Sequence, residues 1–136
     1  MSNKELQQYV EDLIFKNEAI KEFEFLDGKL KVRISNLRAK DQIAVEEEMK
    51  TLTGTQALIL HIYQTKLLSR TIKSYDNHEF KTPEEWYAFL ENKGSIVLDL
   101  LMITQDKFEK ELRSALIKPE VMENFTPPQS TGQEST

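Results

Sequence analysis

The segment KEFEFLDGKLKVRIS, residues 21–35, constrains the fold of this chain more than any other. Asp27-Gly28 predicts a two-residue hairpin turn, because the favoured turn needs positive φ at both central positions and these residues tolerate it. The turn fixes the pairing. Phe25 falls opposite Leu30 and Phe23 opposite Val32 on one face, while Glu24 meets Lys31 and Glu22 meets Arg33 on the other. Apolar pairs on one side and opposite charges on the other are what a half-buried antiparallel ribbon requires.

Helical patterns surround the ribbon. Ser2 and Glu5 have the spacing of a capping box, in which each side chain satisfies an amide at the helix start. Leu6, Val10, Leu13 and Ile14 then recur at helical spacing, predicting an amphipathic helix over residues 3–18. Its narrow stripe either docks on the core or is offered to a partner. Residues 38–52 carry Val45, Met49 and Leu52 one and two turns apart, and Gly54 interrupts them. Thr55 caps the next helix, which runs to about residue 73. QALILHIY at its start is apolar around much of its circumference, which predicts a central, buried spine.

Tyr75-Asp76-Asn77-His78 reads as a turn. Thr82-Pro83-Glu84-Glu85 then combines an N-cap, a proline at the first helical position and a box glutamate. The short helix it opens carries Trp86, Phe89 and Leu90, and Gly94 ends it. From Ser95 a last helix keeps Leu98, Leu101, Phe108, Leu112 and Leu116 on one stripe, until Lys118-Pro119 stops it. The expected fold is α+β and mainly α-helical: about five helices with one antiparallel β-hairpin, residues about 21–34, packed on a helical core. Residues 1–19 form the N-terminal amphipathic helix, 20–125 the core domain, and 126–136 a tail. That tail, TPPQSTGQEST, holds no large apolar side chain and is expected to stay disordered.

The composition removes several classes of function. The 136 residues include no cysteine, so disulfides and thiolate metal sites are excluded. A net charge of −5, from 23 acidic and 18 basic residues without a basic cluster, argues against nucleic-acid binding. Apolar runs such as Ala57–Leu60 are far too short to cross a bilayer. MSNKELQQYVEDLIF places acidic residues within its apolar pattern and lacks a secretory core. A soluble, cytoplasmic chain with no membrane or nucleic-acid partner is expected.

Catalytic parts are equally scarce. The four glycines, Gly28, Gly54, Gly94 and Gly132, are isolated, so no phosphate-cradling loop or nucleophile elbow is present. His61 lies in the apolar helix, where a hydrogen-bonded core or rim histidine is the simpler reading. His78 lies beside Asp76 and Glu79 in a turn, and a solvated turn accounts for it better than zinc, which needs three or four converging ligands. Glu46, Glu47 and Glu48 are consecutive on a helix and point in different directions, as on a solvated face. No catalytic, cofactor or metal residue is assigned, and the chain is expected to act by binding other proteins. Trp86 and Tyr87 are adjacent on a short helix and cannot share one core face. One of them is therefore a candidate exposed aromatic contact.

The run FEFLDGKLKVRISNLRAKDQIAVEEEM resembles the N-terminal half of small tail-assembly proteins of long-tailed bacteriophages, in which a ribbon leads into a helix opening on a phrase like LRAKDQ. KLLSRTIKSYDNHEF, the aromatic-bearing EEWYAFLE and the final helix are similar to the same group, and also to small baseplate-hub proteins. The similar stretch covers about residues 20–117. The resemblance implies a tail assembly chaperone, which binds the tape-measure protein and helps tube subunits assemble around it in the host cytoplasm. The alternative is a structural baseplate-hub or connector subunit of the virion tail, and a further one a small regulatory protein-binding module. Family members often have a longer, frameshifted form, for which residues 126–136 are a natural junction. No cofactor and no catalytic residue is implied. Candidate contacts for tape-measure, tube or baseplate proteins are Leu6, Val10 and Leu13 on the first helix, Trp86, Tyr87 and the hairpin's free edges, which also leave a homo-oligomer open.

Overall fold

The computed structural model describes residues 2–117. The expected stop at Lys118-Pro119 and the tail from residue 126 lie outside the described residues. Five helices and three strands follow one another as α1 (Asn3–Lys16), β1 (Ile20–Phe25), β2 (Leu30–Ser35), α2 (Ala39–Met49), α3 (Gln56–Thr71), β3 (Ile72–Tyr75), α4 (Pro83–Glu91) and α5 (Ser95–Leu116). The fold is α+β and mainly helical.

β1 and β2 pair in the register that the turn dictates, with Phe23 opposite Val32 and Phe25 opposite Leu30. The turn itself is broader than two residues. Leu26, Asp27 and Gly28 all have positive φ, and the Lys29 amide donates to the Leu26 carbonyl at 3.1 Å. Of the two expected charge pairs, Lys31 approaches Glu24 at 3.9 Å, whereas Arg33 reaches Glu79 at 3.7 Å instead of Glu22.

β3 was not expected from local pattern. The helix predicted to run to about residue 73 ends at Thr71, where Ile72 turns to extended backbone (φ −77°, ψ 134°). Ile72–Tyr75 then pairs antiparallel with β2 and places β2 at the centre of the sheet, with a bulge between Arg33 and Ile34. Four residues continuing a helical pattern carry little local preference. The unpaired edge of β2, with its buried Val32 and Ile34, supplies backbone partners that decide the matter. One of the hairpin's two edges is therefore taken, and among the described residues the outer edge of β1 pairs with no further strand.

Two apolar clusters hold the elements together. In the first, Val32, Ile34 and Ile72 from the sheet pack with Leu68, Trp86, Leu90, Leu98 and Leu101. In the second, Leu6 and Val10 of α1 close on Phe108, Leu112 and Ala115 of α5, with Ala19. Phe23 touches both and lies 5.8 Å from Phe108, ring centre to ring centre. Fully burying one such side chain contributes about 1.5–3 kcal/mol, so α1 is held on α5 by several of them.

Capping chemistry sets the helix starts. The Ser2, Thr55 and Thr82 hydroxyls each accept from the backbone amide three residues on, at 3.2 Å. Gly94, expected to terminate α4, instead precedes the first residue of α5, while Asn92 closes α4. The exit of β2 is held by polar groups from distant elements. Asn36 Oδ1 accepts from the Ala19 amide at 2.8 Å, the Ser35 hydroxyl donates to the Thr71 carbonyl at 3.2 Å, and Gln105 donates to the Ser35 carbonyl at 3.3 Å. The Leu37 amide donates to the Glu109 carboxylate.

Candidate interaction surface

α3 was expected to be a buried spine, and only its second half is one. Thr65, Leu68, Ser69 and Thr71 are buried. In the first half Leu58 is 49% and Leu60 54% exposed, and His61 is exposed as well. Leu58 lies seven residues before Thr65, on the same side of the helix, so its face points along the core direction. Among the described residues the first two turns of α3 are covered on one side only, where Ile59, Ile62 and Tyr63 are partly buried, and they overhang with Leu58, Leu60 and His61 exposed. Gly54 permits the approach to this helix with φ 150°, and a β-carbon placed there would lie 3.3 Å from the Leu58 side chain.

α3 is braced on α2 by an ion network. Arg70 donates to Asp41 at 3.1 Å and to Glu48 at 3.0 Å, Lys66 meets Glu48 at 2.6 Å, and Arg38 meets Asp41 at 3.2 Å. The Lys66 ammonium, hydrogen-bonded to Glu48, holds that carboxyl below the usual glutamate range. Lys66 also stands 5.2 Å over the Tyr87 ring. Burial, reinforced by Glu91, raises the Tyr87 hydroxyl above its ordinary value. Glu48 is thus engaged with α3, Glu47 pairs with the nearby Lys50 at 2.8 Å, and Glu46 lies on the solvated face.

A second apolar stripe lies on α5. Ile96, Leu100 and Ile103 recur at helical spacing and are exposed, Ile96 at 82%. They stand roughly 150° around the helix from Leu98, Leu101 and Phe108, which face the core. Between α5 and α3 runs an open groove of about 470 Å³. Leu37, Leu67, Leu68, Met102 and Ile103 give it an apolar lining, and Asp99 and Asp106 are the charged residues on it.

The residues singled out from sequence are differently placed. Leu6 and Val10 are buried against α5 and Leu13 packs beside them, so this stripe completes the core. Trp86 is 3% exposed, edge-on to Phe80 at 4.8 Å and to Phe89 at 5.6 Å, and Tyr87 is the half-exposed member of the pair. Leu58, Leu60 and the Ile96–Leu100–Ile103 stripe were missed. A signal for the stripe was present, because α5 carries apolar residues on two opposite faces and only one can meet the core.

Neither histidine is buried. His61 stands on the overhang, correcting the core or rim placement, and His78 lies tilted against Phe89 at 5.3 Å with its Nδ1 3.1 Å from the Tyr75 carbonyl. Among the described residues no three His, Asp or Glu side chains gather as metal ligands, and no helix is long and apolar enough to cross a membrane. The chain matches no protein-family model, and neither a curated protein nor a solved structure matches it.

Proposed function

We propose that this chain is a binding protein of the tail-assembly-chaperone type that its sequence resembles, covering apolar segments of a tape-measure protein without covalent chemistry. The observation that carries this reading is the overhang of α3, where Leu58 and Leu60 stand half exposed on a helix whose remainder is core. A helix apolar around its circumference is ordinarily enclosed. Here the described residues enclose its first half only in part, leaving Leu58 and Leu60 half exposed, and a partner chain supplies the rest of the cover. Ile43, exposed on the neighbouring α2, and the α5 stripe add apolar surface. Covering each such side chain is worth on the order of 1 kcal/mol, enough in sum for reversible capture of a client.

Co-expression with the tape-measure protein, followed by affinity capture and light scattering, tests the reading. A defined soluble complex is expected, with the chain absent from finished particles. Capture of nothing, together with a fixed stoichiometry in purified particles, identifies a structural baseplate or connector subunit instead.

A further inference from the structure

The groove between α3 and α5 has a chemistry that selects its occupant. Its floor is apolar, from Leu67, Leu68, Met102 and Leu37, and its charged members are both acidic. Asp99 and Asp106 stand seven residues apart on α5, two turns and about 10 Å along one side of the helix. Asp99 has no ion pair among the described residues, and Asp106 is held only by Lys110 at 2.8 Å, an exposed pair on its own helix. No lysine or arginine lines the groove to neutralise them. The α3 wall runs from Gln64 to Thr71, the same two turns. Ile103 joins this groove to the exposed Leu100 and Ile96, which carry the apolar track to just under one turn beyond Asp99 on α5.

We infer that this groove binds an amphipathic α-helix from a client protein, one whose apolar stripe is flanked by Lys or Arg residues about two turns apart. The apolar stripe covers Leu67, Met102 and Ile103, and the basic residues reach Asp99 and Asp106. An acidic or neutral helix leaves the two carboxylates facing like charge or no charge, which makes the rim a selector of partner sign more than a source of affinity. The inference rests on the binding role proposed above and names the chemistry of the bound segment.

The test uses the full chain and a labelled synthetic helix of about 16 residues, with leucines at helical spacing along one face and lysines at i and i+7 beside it. Fluorescence anisotropy is expected to show saturable binding that weakens about tenfold or more in the D99K/D106K variant. The charge-matched E22K/E46K variant, altered at two exposed positions off the groove, is expected to bind as the unmodified chain does. All four positions lie at the surface, so folding is retained and circular dichroism checks it. Equal binding of a peptide with glutamates in place of the lysines overturns the inference. So does equal weakening by both variants, which reduces the effect to net charge. Self-association abolished by Ile103→Glu, with no peptide bound, also overturns it and makes a second copy the occupant. If D99K/D106K still captures the tape-measure protein in full, the groove assignment falls and the chaperone reading stands. If the unmodified chain captures none while the peptide binds, the reverse holds.

Discussion

Leu58 and Thr65 share one side of α3 seven residues apart, yet Leu58 is 49% exposed and Thr65 only 2%. The same helical face passes from solvent into the core within two turns, because α2, α4 and α5 pack against α3 and the described residues cover its first half only in part. The polar residue is buried because its hydroxyl donates to the His61 carbonyl at 2.8 Å. The apolar one is left outside.

Substituting Leu58 and Leu60 together by Gln therefore separates binding from folding. The urea midpoint is expected to shift by no more than about 0.5 kcal/mol equivalent per site, as for surface substitutions. Capture of the tape-measure protein is expected to fall severalfold. Leu68→Ala, in the buried half, is expected to cost about 2–5 kcal/mol. A loss of stability at Leu58 and Leu60 comparable to that at Leu68 places the overhang within the core and removes it as a binding surface.

How far the fold could be read ahead depended on whether the deciding interaction was local. The hairpin register, the Ser2, Thr55 and Thr82 caps and the core stripe of α5 depend on residues within a few positions of one another, and all were legible. β3 was not, because Ile72–Tyr75 is drawn out of the helix by the free edge of β2, some 40 residues away in sequence. The placement of α1 was left open for the same reason: a stripe of Leu6 and Val10 says that something covers it, not that the cover is Phe108. The candidate surface was read least well. Apolar character around α3 indicates a need for cover, and among the described residues that need is met in full only over its second half.

Trp86 is the sole tryptophan, and its indole is enclosed by Phe80 and Phe89. Its fluorescence is expected to be blue-shifted in the folded protein, insensitive to iodide, and unchanged when a client binds. Trp86→Ala is expected to cost about 3–5 kcal/mol. A client-dependent shift in its emission instead places this residue at the interface, as its sequence position beside Tyr87 allowed.

Glu48 couples α2 to α3, and its pKa is lowered chiefly by the hydrogen bond from Lys66, then by that lysine's charge and by Arg70. Because the folded value lies below the unfolded one, the stabilisation is fully present above the unfolded glutamate pKa. It is lost as pH falls through the lowered folded value. Glu48→Gln is expected to be less stable than the parent at neutral pH and to converge with it in acid. Denaturant midpoints measured from pH 7 downward read this directly, and two parallel curves across that range exclude a role for the Glu48 charge.

The hairpin tip offers a test in which stability should rise. Leu26 has φ 56° with its side chain largely in solvent, a left-handed backbone that a leucine adopts at a cost of about 1–2 kcal/mol. Asn tolerates this conformation, so Leu26→Asn is expected to stabilise by about 0.5 kcal/mol or more. Gly28 sits two positions on at φ 84°, and a β-carbon there would stand 3.4 Å from Glu24 Oε1. Gly28→Ala is expected to destabilise by about 1 kcal/mol, since backbone strain now falls where none existed. Thermal unfolding of the two variants should move in opposite directions. Were Leu26→Asn to destabilise, the exposed leucine would be contributing packing that outweighs its strain, and the tip would be rigid by virtue of its side chain. A positive shift instead leaves an exposed apolar group held at a cost in stability. That makes Leu26, which also stands at the free end of the ribbon, the next position to substitute in the client-capture experiment.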